Sequence, residues 1–364
     1  MKSIIVDKFI KNLDDLTVTT APTPPPSPSP DTITIQIKST ALNYVDLLYA
    51  RGQHQNNRTH VHPPFTLGLE FSGLVLSSPP SSPWPPGTPV FGDSPGSFTT
   101  HLVLPLGPNL SSSSVHRIPP GWTFRAAAGI PATLPVSYGA LVLRAGLTEG
   151  ETVLVHGAAG GLGVMAVQVA LAAGAARVFC TARGGRKCAV VAELGEVHPS
   201  YAGRVRCFDT SSSSSSTGGG EWWEAVVAET GGRGVDVVFD SVGLVDRSLK
   251  CLAHRGRVLV VGFAGRDKDS MEGIKMNQVL LKQAQVIGYR YGETHRRWPE
   301  EKARIWRELW PLIDEGKIRP VVYDEVYKGL ESVPRALKDL EERKVWGKAV
   351  VQVDQEEEVP LARL

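Results

Sequence analysis

The residues most able to do chemistry cluster around a glycine turn. The run Thr152–Gly157 (TVLVHG) is apolar, and Ala158–Ala159–Gly160–Gly161–Leu162–Gly163 follows it before an apolar stretch of helical texture. Ala158, Gly160 and Gly163 have the spacing G-x-G-x-x-G, with Ala in the first place. A glycine at 160 lets backbone N–H groups approach a pyrophosphate. One at 163 lets the following helix pack close to the strand, and the helix N-terminus adds favourable positive partial charge. Alone the spacing is weak evidence. With a strand before it, a helix after it and further β/α units beyond, it points to a bound dinucleotide. A site for the unphosphorylated dinucleotide wants Asp or Glu about 20 residues on, to hold the ribose hydroxyls. The stretch "RVFCTARGGRK" has none there, and the next acid is Glu193. It carries Arg183, Arg186 and Lys187 instead. Such a cluster suits a 2′-phosphate, so the expected cofactor is NADPH.

The elements that must position these groups are also legible. From Thr152 onward, the strand candidates "TVLVHG", "RVFCTA", "VRCF", "VDVVFD", "RVLVVGF" and "AQVIGYRY" alternate with helix candidates starting near Leu162, Lys187, Glu221, Asp246 and Met276. Continuous apolar strands alternating with helices imply a doubly wound parallel sheet, an α/β fold. The first third reads as short β segments, with strict alternation in "TITIQIKST", Thr32–Thr40. The tail holds a helix pattern, "EKARIWRELWPLIDEGKI", and then a strand, "WGKAVVQV", which points back to the first domain. Ala21–Pro30, Ser77–Gly87, Ser111–Ser114 and Ser211–Gly220 are Pro- or Ser-rich and read as expanded surface loops.

Bulk properties narrow the class. The chain has 364 residues, long for one core, so two domains are expected. Apolar content of 42% and charged content of 21% fit a globular protein. Net charge is +2, from 39 basic and 37 acidic side chains, which gives no reason to expect nucleic acid as a partner. No run has the apolar length of a membrane span. The segment "MKSIIVDKFIKNLDDL" carries Asp7, Asp14 and Asp15 and lacks the character of a signal or transit peptide, so the expected location is cytoplasmic. Cys180, Cys188, Cys207 and Cys251 form no C-x-x-C pair, and four free thiols are expected rather than a disulfide framework or a zinc site.

With these motifs in hand, the chain resembles the zinc-independent quinone oxidoreductase (zeta-crystallin-like) branch of the medium-chain dehydrogenase/reductase family. The resemblance rests on "ALNYVDLLYARG", "TLGLEFSGLV", "AAAGIPATLPVSYGAL", "GETVLVHGAAGGLGVMAVQVA", "GGRGVDVVFDSVG", "GRVLVVGF", "EGKIRPVV" and "GKAVV", in that order. It implies a discontinuous β-rich GroES-like catalytic domain at 1–122 and 292–364, a Rossmann NADP-binding domain at 123–291, and an active-site cleft where they meet. Zinc-containing relatives hold a Cys where this chain has Asn43 and a His where it has Leu69. Neither an amide nor an alkyl group ligates zinc, so no metal is expected. His60 and His62 read as surface residues. Asn43 is then the leading polar residue toward substrate, Asp46 a structural anchor, and Glu70 a structural hydrogen-bonding group. Ser137 matches a family Thr near the nicotinamide carboxamide. Gly243 and Gly262–Phe263 match loops along the cofactor, and Lys187 matches the 2′-phosphate lysine. Two family tyrosines are replaced: His54 stands for one and could donate a proton, and Thr210 stands for one near the ribose phosphate.

The resemblance implies an NADPH-dependent reductase of a small electrophile, a quinone or an α,β-unsaturated carbonyl. Two other readings stand beside it: a non-catalytic NADPH-binding structural or sensor relative, and a zinc alcohol dehydrogenase, which Asn43 and Leu69 oppose. The strand "AQVIGYRY" should lie at a sheet edge, where the family joins two copies, so a homodimer is expected.

Overall fold

A computed structural model describes residues 1–22, 32–105, 114–211, 221–265 and 273–354. The chain divides into two compact units, Met1–Ala132 with Pro320–Leu364, and Thr133–Arg319.

In the first unit the strand Thr32–Ala41 is the organising element. Its alternating Ile33, Ile35 and Ile37 side chains enter a core with Phe71, Val75, Val90 and Leu104. It pairs antiparallel with Glu70–Ser77, with His101–Pro105 and, through its far end, with Val350–Gln352 from the tail. The tail therefore does complete the first unit's sheet. A second cluster joins Ile4, Leu47, Leu67 and Phe98 to Val333, Leu337 and Val351. Of the Pro/Ser-rich stretches, Ser77–Gly87 is fully described, and it departs from a plain surface loop. Trp84 is buried in the core beside Ile33 and Phe71. Residues 23–31, 106–113 and 212–220, which hold most of the other three stretches, lie outside the described residues.

The second unit is a six-stranded parallel sheet. Its order is Val205–Asp209, Arg177–Ala182, Thr152–Val155, Val235–Asp240, Leu252–Val260, Gln285–Gly288. The chain winds outward from Thr152–Val155 in one direction, then restarts on its other side with Val235–Asp240. That reversal is the switch point at which open α/β sheets bind ligands, beyond the carboxyl ends of the strands. Val153, Leu154, Phe179, Val237, Val238 and Leu259 are fully buried, as continuous apolar strands covered on both faces must be.

The long helix Pro299–Asp314 groups with this second unit, whereas the sequence reading placed it with the β-rich domain. Its Ile305, Trp306 and Leu309 are buried, it packs on the helix Leu134–Tyr138, and Tyr138 Oη donates to Glu308 at 2.9 Å. The chain crosses between units after Ala132 and again before Pro320, later than the expected 122 and 292 in both places. Among the described residues no helix is long and apolar enough to cross a membrane.

Candidate active site

The glycine turn sits at the carboxyl end of Thr152–Val155 and opens the helix Gly161–Ala172. Ala158 N donates to Thr181 O at 3.0 Å and Gly160 N to Gly157 O at 2.9 Å, which folds the turn back on the sheet. Gly160 is exposed and has an ordinary φ of −79°. A Cβ there would meet only Gly157 O, at 3.3 Å. A Cβ on Gly163 would overlap Gly157 O and the Ala158 backbone. So the two glycines serve different ends: Gly163 allows helix and strand to close up, and Gly160 leaves the approach to the turn open. No side chain caps this helix start, where Gly161 and Leu162 lie half-buried. That leaves its dipole end suited to an anion.

The neighbouring loops are pinned rather than loose. Asp240, fully buried, accepts from the amides of Val242 and Gly243 at 2.8 Å and of Leu244 at 2.5 Å. That holds Gly243 at a φ of +97°, where a side chain would be strained. Gly262 N and Val261 N donate to Asp240 O, and Ala264 N donates to Ser241 O. Phe263 is left 44% exposed at this edge. His156 lies beneath, fully buried between Thr181 Oγ1 and Ser248 Oγ, each 2.9 Å away. Burial holds its imidazole below the usual range, hence neutral.

The basic cluster begins the helix Gly185–Glu193. Arg183 and Arg186 are exposed and Lys187 is half-buried. Gly184 has a φ of +92°, and a Cβ on Gly184 or Gly185 would meet nothing within 4 Å, so the helix start faces open space. The sequence reading found no acid after the second strand. The fold supplies one from the third: Asp209 Oδ1 accepts from Gly184 N at 2.7 Å and from Ser211 N at 2.8 Å. Burial pushes its carboxyl up, but the Ser211 hydroxyl together with these two amides holds it below the usual range. Thr210 is exposed, with its N and Oγ1 both donating to Ala182 O.

Ser137 takes a bracing place rather than an open one. It is fully buried, and its hydroxyl faces the carbonyls of Thr133 and Leu162 at 3.0 and 3.1 Å. It ties the helix Leu134–Tyr138 to the first turn of the glycine-turn helix.

In the first unit, Asn43 caps the helix Tyr44–Ala50 and is half-buried. Its Nδ2 donates to Glu70 Oε1 at 2.9 Å, and its Oδ1 accepts from Lys348 Nζ at 2.6 Å. Lys348 also forms an ion pair with Glu70, and both are essentially buried. Glu70 Oε2 accepts from Ala132 N at 2.8 Å. Burial pushes the Glu70 carboxyl up, while the Lys348 ammonium and these donors pull it down. The amide orientation of Asn43 is therefore forced, with oxygen to the cation and nitrogen to the carboxylate. Its second amide hydrogen is used by neither. Asp46 is fully buried; its Oδ2 accepts from Asn43 N at 2.7 Å, and its Oδ1 has no partner. Burial raises its carboxyl to about 7. His54 takes part in a different set of contacts. Its Nδ1 accepts from Asn56 N at 3.1 Å, capping the turn Gln55–Arg58, and its ring lies 4.4 Å from that of Tyr49.

Lys348, Asp209, Asp240 and His156 are the polar residues to which the sequence reading assigned no role. Lys348 lies in "WGKAVVQV" and Asp240 at the end of "VDVVFD", stretches read from pattern as strands and from likeness as family blocks, without a role for either side chain.

Two outcomes follow from this geometry. Gly163→Ala should destabilise the protein by about 1–3 kcal/mol, the range for overpacking. Gly160→Ala should keep the parent melting temperature within about 2 °C, on the scale of a few tenths of a kcal/mol, and weaken binding of the nicotinamide cofactor tenfold or more. Melting curves and cofactor titration of both variants check this, and unchanged cofactor affinity in Gly160→Ala contradicts it. For Asp46, the folded carboxyl keeps its proton to about pH 7, while an unfolded one loses it near 3.8. Its stabilisation is complete below that lower value. It declines as pH rises through the window, by up to about 1.4 kcal/mol per pH unit, and levels off above the upper one. Asp46→Asn should show a shallower loss of stability between pH 5 and pH 8 than the parent in chemical unfolding. Equal slopes would remove Asp46 as the cause.

Residues 161–307 match the zinc-binding dehydrogenase family, and residues 29–103 match the alcohol dehydrogenase GroES-like domain. Quinone oxidoreductase-like protein 2 of Bos taurus is 30% identical over 318 residues, 86% of this chain and 82% of that protein. The highly reducing polyketide synthase lcsB of Purpureocillium lilacinum is 29% identical over 329 residues, 88% of this chain but 12% of the synthase, so the chain spans only a small part of that relative. Among solved structures, a probable oxidoreductase from Mycobacterium abscessus is 28% identical with a TM-score of 0.77, covering 97% of this chain and 98% of that one. Taken with the parallel sheet, its glycine turn and the β-rich unit completed by the tail, these matches show that the chain belongs to the quinone oxidoreductase-like branch of the medium-chain dehydrogenase/reductase family.

Proposed function

We propose that this NAD(P)H-dependent reductase uses NADPH to reduce a quinone or an α,β-unsaturated carbonyl, and that it does so without a metal. The observation that carries the reading is the open, uncapped glycine turn beside the basic start of Gly185–Glu193. Gly160, Gly161, Leu162 and Gly163 would hold the pyrophosphate, and Arg183 and Lys187 the 2′-phosphate. Gly243, Gly262 and Phe263 would line the rest of the cofactor, with Ala158 and Ser137 bracing the turn. When bound, the nicotinamide supplies the hydride. Asp209 is the acid nearest the basic turn. Its Oδ1 already serves two backbone amides, so it acts as a loop staple rather than as a ribose ligand.

The chain's own part in the reaction is carried by Asn43. Its second amide hydrogen can bond an oxyanion developing on the substrate, and Lys348 and Glu70 keep the amide from flipping. A preorganised donor of this kind stabilises charge that exists only in the transition state. His54 is a candidate proton donor through the nitrogen its cap does not use. The metal-free reading is supported by the Lys348 ammonium, which lies against Asn43 and Glu70, so a second cation at position 43 would be repelled. The same proposal places the protein in the cytoplasm, where four cysteines without a C-x-x-C pair would stay reduced.

A non-catalytic NADPH-binding role is the second reading. It is favoured only by tight NADPH binding with no turnover across quinones, enones and enals.

We also propose a homodimer through the sheet edge. Among the described residues the last strand, Gln285–Gly288, has no partner on its outer side, and its Val286 joins Met276, Leu280 and Leu281 as exposed apolar side chains. Such an edge invites pairing with a second copy. Light scattering at micromolar concentration should give twice the chain mass, and a monomer contradicts it.

Two variants separate cofactor from chemistry. Lys187→Ala should weaken NADPH binding by about 1–3 kcal/mol, the scale of a hydrogen bond to a charged group, and leave NADH binding nearly unchanged. Asn43→Ala should lower kcat about ten- to a thousandfold, with NADPH affinity kept within a few-fold and with chelator having no effect on the parent. Equal losses for both cofactors in Lys187→Ala sink the 2′-phosphate assignment. Parent-like kcat with a lowered melting temperature in Asn43→Ala makes Asn43 scaffold.

A further inference from the structure

We infer that Cys188 and Cys207 form an oxidation site, a thiol pair that a peroxide closes into a reversible disulfide beneath the basic turn. Cys188 lies in the first turns of Gly185–Glu193, and Cys207 at the centre of Val205–Asp209. Helix and strand pack together, and the two Sγ atoms stand 2.7 Å apart. A shift of well under 1 Å reaches the bonding length of about 2.05 Å. Both residues are half-buried, so a small oxidant can reach them. The other two thiols are fully enclosed: Cys180 is the register partner of Cys207 on the adjacent strand, and Cys251 ends the helix Val245–Cys251.

The pair is also asymmetric. The two thiols are hydrogen-bonded to each other, and that bond favours an anion on Cys188 rather than on Cys207, with the Asp209 carboxylate opposing the Cys188 anion and the Arg206 guanidinium supporting it. Burial nevertheless pushes both thiols up, so the attacking thiolate is a minor species at neutral pH. Cys188 is thus the attacking sulfur and Cys207 the resolving one. The Cys188 thiolate attacks one peroxide oxygen, the O–O bond breaks, and the leaving hydroxide takes up a proton as water. Cys188 is left as the sulfenic acid. The Cys207 sulfur then attacks the Cys188 sulfur, the S–O bond breaks, and a second water leaves with the Cys207 proton. Two thiols lose two electrons and hydrogen peroxide is reduced to two waters.

The functional consequence rests on the NADPH reading above. Cys188 follows Lys187, and Cys207 lies two residues before Asp209, which holds Gly184 N and Ser211 N. A covalent link there clamps the helix turn that carries Lys187 to the strand that staples its loop. NADPH affinity should then differ between the two redox forms.

The test treats the fully reduced chain with hydrogen peroxide, blocks remaining thiols with a maleimide and maps the linked peptides by mass. One Cys188–Cys207 link, a loss of two titratable thiols and full reversal by dithiothreitol are expected. The link should persist in Cys180→Ser and vanish in Cys188→Ser. The NADPH dissociation constant should differ at least threefold between oxidised and reduced protein, with NADH changing less. A Cys180–Cys207 link, or no link at all, overturns the site. A Cys188–Cys207 link with unchanged NADPH affinity overturns its coupling to the cofactor. Reduced protein that fails to bind NADPH while the link still forms refutes the cofactor reading instead.

Discussion

The ion pair between Lys348 and Glu70 is the contact on which the first unit depends. Both charges are out of water, and such a pair holds only if the remaining donors and acceptors are also satisfied. Here Asn43 takes one ammonium hydrogen and gives one amide hydrogen, and Ala132 N closes the other carboxylate oxygen. The Lys348 backbone is fixed as well, donating to Val321 O and accepting from Tyr323 N. One pair thus links a central strand, the helix cap at Asn43, the chain's exit at Ala132 and the tail. Removing either charge would leave the other buried alone, which typically costs about 3–5 kcal/mol.

The second unit solves a different problem, how to leave polar backbone available without letting the loops collapse. Its answer is to anchor each loop from below with a buried polar side chain. Asp240 gathers three amides, His156 is wedged neutral between two hydroxyls, and Ser137 ties down Leu162. With these anchors in place, the exposed face of the turn can stay uncapped. Preorganisation of this kind lowers the ordering cost of binding.

Much of this architecture was readable from pattern. The strands Arg177–Ala182 and Val235–Asp240 appear where the apolar-rich runs begin and end, as expected of strands covered on both faces. The strand Thr32–Ala41 was equally clear from alternation. What pattern could not show was partnership across long separations. Lys348 meets Asn43 across 305 positions, and Asp209 reaches Gly184 from a different strand. Place in the motif does separate an approach glycine from a packing one, and a Cβ set on Gly160 and on Gly163 gives the same division. The domain border was misjudged because the helix Pro299–Asp314 is amphipathic, and an apolar stripe does not say which core it faces. Trp84 was hidden by its prolines and serines, whose composition suggested solvent.

The broken chain path of the first unit has a consequence during synthesis. Glu70 leaves the ribosome long before Lys348, and Thr32–Ala41 long before Val350–Gln352. Until the tail emerges, a carboxylate destined for the interior has no counter-charge, and a central strand lacks the tail strand that pairs with its far end. The second unit, Thr133–Arg319, is continuous in sequence and is complete while the first still waits. Domains tend to fold as units in the order they are finished. The part of the chain made first is therefore the part completed last, and the nascent first unit exposes a growing sheet that chaperones would have to shield.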